Sequence, residues 1–538
     1  MRIKGQPIAS ILWALFLLIT LAFPVFFASC DKTSKGDDPD PIEGVEDGAI
    51  RSFGFLKKDN PTLMRDISCE LDKNTLTFTG RSAKLLPEKV DASALVATFE
   101  ADGEVSVNGV RQESGVTVND FTKPVTYTSL SKDGEKREYV VEFVNYTGIP
   151  IVYVNTPTGY PLKDDITSKE EWKEATIRVD GNGAFDDLPE TGLKVRGRGN
   201  ITWGWDKKPF NLKFDKKEEI LGMPEHKRWC MLANYADITM LRNDIAFHVS
   251  NLTSLEWAPR GRFVELVFNG KYNGTYYLTE HVRVDENRVD VHELEPGDSD
   301  ITGGYLVEMD FHWDESPFQW RPTVDCRQPA NACYIVKAPD EDDITPEQFN
   351  YIKDYISEFE RVIQSDKLSD PDEGYKKYID PQSFVDYWLV FETCINHEIW
   401  NPGSVYLHKD RGGKLVPGPV WDFDFGTFNF TYEEAMPARY SLYVKDAIWY
   451  KYLFRDPDMK ALAKKRWEEL KPELAKVPEY IKRQGDYLRY AAAENLRLWP
   501  MTITTNGDAA LTYSQAVDRL MEVWDFRMDV IDKCVAEW

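Results

Sequence analysis

Basic charge is scarce in this chain. Lys and Arg total 65 against 90 Asp and Glu, a formal net charge of −25 over 538 residues. That balance excludes a nucleic-acid-binding surface, which needs a basic footprint, and fits an acidic ectodomain. Histidine is also sparse, seven residues with no H-E-x-x-H pair, so the spacing of a zinc hydrolase is missing. Seven cysteines include no C-x-x-C, which argues against a zinc ribbon. Beyond Phe27 no apolar run is long enough to span a bilayer. What is present suffices for a folded chain. Hydrophobic residues make up 42% and aromatics 13%, enough for a sizeable core spread over about three or four average domains or fewer large ones.

The N-terminus reads as a targeting segment. Arg2 and Lys4 precede an apolar run from Ile8 to Phe27, and Phe27-Ala-Ser-Cys30 follows. This resembles a bacterial lipoprotein signal, cleaved before Cys30 and lipidated on its thiol. The alternatives are an ordinary signal peptide or a single span. Asp31-Lys-Thr-Ser-Lys-Gly-Asp-Asp-Pro-Asp-Pro41 then has the composition of a polar tether. With Cys30 set aside, Cys326 and Cys333 are the best-placed pair for a disulfide, two buried thiols being the alternative.

From about residue 49 to 146, short β-branched and aromatic runs alternate with turn signals such as Ala101-Asp-Gly and Lys132-Asp-Gly. This predicts a small antiparallel, Ig-like sandwich. A second region spans 147–538, β-rich to about 340 and helical from about 341. In its first half, Arg196 and Arg198 share one face of a strand among glycines, and arginine forks suit phosphate. Lys207-Lys-Pro-Phe-Asn-Leu-Lys213-Phe follows. Phe210, Leu212 and Phe214 alternate with Asn211 and Lys213. Asn269-Gly270 between alternating runs predicts a hairpin ending near Glu280. Asp237 is predicted to cap a helix through Val249. Later helices are predicted over 348–363, 381–395, 457–474, 477–498 and 515–535, with Thr345 and Ser514 as caps.

The stretch around which the second region is organised is Gly418-Pro-Val-Trp-Asp-Phe-Asp-Phe-Gly426. In an extended chain its alternation sends the aromatics to one face, and Asp422 and Asp424 to the other. Neighbouring carboxylates repel and call for a proton, a basic partner or a cation. Magnesium bridging to phosphate is one answer, and Asp424-Phe-Gly426 matches the metal-holding tripeptide of protein kinases.

Arg196-Gly-Arg-Gly-Asn-Ile-Thr, Lys207-Lys-Pro-Phe-Asn-Leu-Lys-Phe, Leu241-Arg-Asn, the 268–280 hairpin and Val420-Trp-Asp-Phe-Asp424 occur in that order. The ordered set resembles the spore-coat-protein-H-like (CotH) kinase family. The match covers roughly 150–500, and the sandwich and leader resemble surface lipoproteins of Bacteroides-type bacteria. The resemblance implies an α+β chain with an atypical, bilobal protein-kinase-like domain behind the sandwich. It implies transfer of phosphate from ATP, with Mg2+, to serine or threonine of surface or secreted proteins. On that reading Lys213, or Lys208, contacts phosphate; Arg196 and Arg198 lie over the phosphates. Glu280, His281 and Val282 sit at the adenine hinge, and Asp424, with Asp422, holds magnesium. The catalytic loop departs from the family's pattern. Glu398 stands where an aspartate is usual and Ser404 where an asparagine is, with Asn401 as a substitute ligand. A glutamate still accepts a hydroxyl proton but reaches one methylene further.

These readings imply a protein substrate, attachment to the cell envelope through a lipid on Cys30, and no nucleic acid. The alternative is a kinase-like scaffold without strong activity, binding a glycan or a surface protein, with Trp203 and Trp205 as exposed contacts. A metal-dependent hydrolase using His397 or His408 ranks last, for want of ligand spacing.

Overall fold

The computed structural model describes residues 48–538, except 64–65, 83–89, 146, 314–315, 431–432 and 504. The leader, Cys30 and the tether lie outside the described residues.

The N-terminal module is built from short strands in facing sheets. A three-stranded sheet centred on Ile50–Phe55 packs against a six-stranded sheet containing Thr77–Arg81, Val125–Leu130 and Lys136–Val144. Phe53 and Phe55 from one sheet meet Phe78, Tyr127 and Val141 from the other in a single core. The prediction of an all-antiparallel arrangement needs one correction. Lys136–Val144 runs parallel to Thr77–Arg81, pairing Val141 with Phe78.

The second region begins with a closed seven-stranded barrel. Its strands are Ile151–Asn155, Lys173–Asp180, Leu188–Gly197, Phe210–Ile220, Met223–Leu232, Gly261–Phe268 and Lys271–Glu280. All neighbours are antiparallel except the closing pair, where Ile151–Asn155 runs parallel to Gly261–Phe268. Closure follows from the alternation. Phe210, Leu212 and Phe214 point inward onto Leu193, Val195, Trp229 and Met231, which leaves Asn211 and Lys213 outside. Asn269 and Gly270 turn the hairpin at φ 47° and 71°, the left-handed pair that matches strand twist.

A five-stranded sheet stands beside the barrel. Tyr305–Asp310 lies at its centre, flanked by Cys333–Ala338 and Val405–Lys409. Strands from both sides of residue 340 therefore share one sheet, and the helices Pro346–Ile363 and Pro381–Thr393 pack into the same core. Long helices Pro457–Leu474, Val477–Leu498 and Tyr513–Ala536 complete the chain. Mixed helices and strands make it α+β. No described helix is long and apolar enough to cross a membrane.

Thr345 caps as predicted, closing a capping box with Gln348. The last helix is capped by Thr512 rather than Ser514; both hydroxyls are available, and the one three residues before a Gln wins. The helix expected from Asp237 starts at Arg242. Asp237 is buried instead and accepts from the Arg242 backbone at 2.9 Å. No disulfide joins Cys326 to Cys333; both are thiols, and Cys333 points at the Asp310 carbonyl.

Candidate functional site

A cavity of about 390 Å³ opens between the barrel and the five-stranded sheet. Its lining includes Arg196, Arg198 and Asn211 from the barrel, Glu308, Asp310 and Lys337 from the sheet, and Glu398, Ser404, Asp422 and Asp424 from the loops beyond. The size suits a small polar ligand.

The acidic loop is not the extended strand that alternation predicted. Asp422 sits at φ 66°, so the two carboxylates meet through a bend rather than across a pleat. Around them the backbone is tied on every side. The Phe423 amide donates to Asn243 Oδ1 at 2.7 Å, the Gly426 amide to Asn506 Oδ1 at 2.6 Å, and Asn506 Nδ2 to the Asp424 carbonyl at 2.8 Å. Phe423 is buried against Phe391 with ring centroids 4.9 Å apart, and Trp421 against Phe247 at 5.9 Å. Arg242 is fully buried. It ion-pairs with Asp237 and with Asp508 at 2.9 Å, and its Nε reaches the Thr427 carbonyl at 3.2 Å. Gly426 has φ 69°, and a β-carbon there would lie 2.1 Å from His397 Cε1. Phe425 closes the cavity against Trp205 at 6.1 Å.

The electrostatics follow from that enclosure. Burial raises the Asp424 carboxyl well above its ordinary range, and the Asp422 charge adds to it. Asp422 is raised by burial and eased by Arg198. Glu398, on the short turn Glu398–Trp400, is raised well above its range by burial and then by Asp422, Asp424 and Asp310. Acidic groups held this way favour whatever neutralises them, proton or cation. On the opposite wall the cations are poorly matched. Among the described residues Arg198 has no carboxylate within ion-pair range, and its guanidinium lies 5.5 Å over the Trp421 ring. Arg196 rests 4.5 Å over Trp172 with a buried Nε that finds no acceptor. Lys337 pairs with Glu308 at 3.2 Å. Among the described residues no group of three or more His, Cys, Asp or Glu forms a metal-holding set by itself. Two carboxylates completed by phosphate and water are what magnesium takes.

Of the residues singled out from the sequence, Arg196, Arg198, Trp205, Glu398, Ser404, Asp422 and Asp424 share this cavity. Others fall elsewhere. Lys208 donates to the Trp203 carbonyl at 2.6 Å and lies over that ring. Lys213 stays on the outer barrel face beyond the lining. Glu280 is buried in a two-pronged pair with Arg260, at 2.8 and 2.9 Å, because the strand ends by turning its carboxylate away; His281 and Val282 reach the cavity instead. Asn401 does not line it, and its Oδ1 is buried without a donor. Trp203 and Trp205 are half-buried against the barrel core rather than exposed. His397 Nδ1 meets the Gly426 carbonyl at 3.2 Å and His408 Nδ1 the Gly418 carbonyl at 3.1 Å. Sequence reasoning missed Glu308, Asp310 and Lys337. The alternation in Tyr305-Leu-Val-Glu-Met-Asp310 puts both acids on one face, a signal that was available.

The chain is thus an α+β protein in which buried acids face two arginines across one cavity. The family model described as CotH kinase protein matches residues 195–531, more than half of the chain, and the chain belongs to that family. A second model, described as SGBP, N-terminal, matches residues 82–143. No curated protein matches. Among solved structures, a putative glycoside hydrolase from Bacteroides thetaiotaomicron aligns at 15% identity over 36% of this chain and 54% of that one, with a TM-score of 0.15. The chain thus matches only about half of that protein's length, and a score so low carries neither fold nor function across.

Proposed function

We propose that this protein is a surface kinase that moves the γ-phosphoryl group of ATP to a serine or threonine hydroxyl of another protein. The observation that carries the reading is the placement of Asp424, Asp422 and Glu398 opposite Arg196 and Arg198 in one cavity, in a chain of the CotH kinase family. Asp422 and Asp424 fit a magnesium ion. Both offer hard oxygen donors, and both are held with raised carboxyl pKa values that a cation would relieve. Bound there, the ion would neutralise charge on the phosphate oxygens.

The chain's own residues do the rest. Arg198 and Arg196 hold phosphate oxygens with donors that no protein carboxylate occupies. Glu398 accepts the acceptor hydroxyl's proton as its oxygen bonds to the γ-phosphorus and the bond to the β,γ-bridging oxygen breaks, releasing ADP. A cation on Asp422 and Asp424 would offset the charges that, after burial, raise the Glu398 carboxyl, and so favour the ionised form a general base needs. His281, Val282 and Tyr235 on the cavity wall offer the apolar flank where a base can lie. The Lys213 role passes to Lys337, the strand lysine that does line the cavity.

A second reading has its own support, the match of residues 82–143 to the SGBP N-terminal model. Here the module binds a glycan at the cell surface and the cavity is a relic. Under either reading the chain is held on the envelope by a lipid on Cys30. The readings part on labelling. The mature protein with γ-labelled ATP and magnesium should label a casein-type acceptor, and Asp424→Ala should not. No labelling above that variant, together with a thermal shift on adding glycans, would replace the first reading by the second.

A further inference from the structure

The outer face of the barrel next to the cavity carries an arrangement that costs stability. Lys194 pairs in register with Lys213, and Lys213 with Arg228. Cations thus stand directly opposite one another across three neighbouring strands. Like charges so placed repel, and the repulsion registers on Lys213, whose pKa is lowered first by Arg228, then by burial, and also by Lys194, Lys227 and Arg196. Carboxylates that would relieve it are few. Lys194 has Glu174 at 2.8 Å and Asp215 further off, Asp340 pairs with Arg283 at 2.9 Å and also acts on Arg228, and Glu170 lies near Arg196. Among the described residues Arg196, Lys213 and Arg228 have no ion-pair partner. This row persists in a chain of net charge −25, where acidic residues are plentiful.

Two features tie the row to the cavity. The next register row inward is Arg196–Asn211–Cys230, and Arg196 and Asn211 line the cavity. The cationic row therefore begins two residues, about 7 Å, outside the lining. The guanidinium of the row is also held in place, beside that of the cavity-lining arginine. Arg196 and Arg228 lie over the same indole, Trp172, at 4.5 and 5.2 Å. Groups fixed in advance lose less freedom when a ligand arrives.

We propose that Lys213 and Arg228, with Lys194, form a docking strip for an acidic segment of the acceptor polypeptide, leading its hydroxyl into the cavity beside Glu398. The inference rests on the kinase reading for the hydroxyl but not for the strip, which binds by charge alone. A polypeptide fits better than an anionic glycan because the row is straight, spans neighbouring strands and runs alongside the cavity, two residues from its lining.

The test is fluorescence anisotropy with labelled peptides carrying one serine flanked by Glu and Asp, by Gln, or by Lys. The mature full chain is used beside a Lys213→Glu, Arg228→Glu double variant. The acidic peptide should bind the parent, weaken steeply with salt, and lose about tenfold or more in affinity in the double variant, since each reversal turns an attraction into a repulsion. Melting temperature reports folding, and Mg–ATP affinity should stay the same. Equal binding of the Gln peptide, an unchanged affinity in the double variant, or tighter binding of polygalacturonate than of the acidic peptide would overturn the strip. Acidic-peptide binding without any nucleotide binding would leave the strip standing and sink the kinase reading. Nucleotide binding without peptide binding would do the reverse.

Discussion

Replacing Asp424 by Asn should make the ligand-free protein more stable and the ligand-responsive protein inert. Asp424 is 6% exposed, and its carboxyl is raised by burial and by Asp422. Asparagine keeps the shape and cannot ionise. The bonds that fix the loop here run through backbone atoms, the Asp424 carbonyl to Asn506 and the Gly426 amide to the same side chain, and survive the change. Relieving a strained functional site of this kind is worth on the order of 0.5–2 kcal/mol. With about 2–4 °C per kcal/mol for a large domain, the apo melting temperature should rise by a few degrees. The parent should gain about 2.7 kcal/mol from Mg–ATP at a hundred times its Kd, and the variant should gain almost none. Differential scanning fluorimetry, with and without nucleotide and magnesium, reads both numbers at once. A variant that melts lower than the parent yet keeps the nucleotide shift would refute the reasoning, because Asp424 would then be a structural residue and not a cation ligand.

Glu398→Gln should lower phosphoryl transfer by about 10²–10⁴-fold while the Mg–ATP thermal shift persists; loss of both together would place Glu398 in binding instead. The raised carboxyls of Asp422, Asp424 and Glu398 give a signed pH dependence. A folded pKa above the unfolded one contributes stability that is complete below about pH 4 and lost as pH rises through the raised values. Apo stability from this cluster should therefore fall across that window, Asp424→Asn should flatten the fall, and Mg–ATP affinity should rise with pH as the cation displaces protons; urea midpoints and calorimetry across pH check each part. Lys207→Met should cost about 3 kcal/mol or more. It removes the donor to Asn495 Oδ1 and the Ala233 carbonyl, each at 2.8 Å, and to the Thr275 carbonyl, so an unchanged urea midpoint would contradict that clamp between barrel and helix Val477–Leu498. Gly426→Ala forces a β-carbon into the His397 ring at positive φ. It should cost about 1–3 kcal/mol and abolish the Mg–ATP shift, read in the same melts.

The parts of the fold that local chemistry dictates were legible. The Asn269-Gly270 hairpin, the helices 457–474 and 477–498 and the Thr345 cap follow from turn geometry, periodicity and capping, all of which act over a few residues. What alternation could not show was closure. The pairing that shuts the barrel joins Ile151–Asn155 to Gly261–Phe268, strands about a hundred residues apart. Closure decides which outward residues meet a cavity, so Asn211 lines it and Lys213, on the same face of the same strand, does not. The cavity lining was readable where charge was concentrated, at Asp422, Asp424, Arg196 and Arg198. It was not readable where partner choice is tertiary. Glu280 looked poised at a strand end until Arg260 took both its oxygens. Even where the answer agreed, the reason differed, since Asp422 and Asp424 meet through a left-handed bend and not across a strand.

The most direct test of the central claim is isothermal titration of the mature protein with ATP, once with magnesium and once with EDTA. The account predicts saturable heat with magnesium at about one nucleotide per chain, little with EDTA, and none with magnesium for Asp424→Asn. Absence of binding to the parent under both conditions, or binding that Asp424→Asn leaves intact, would contradict it.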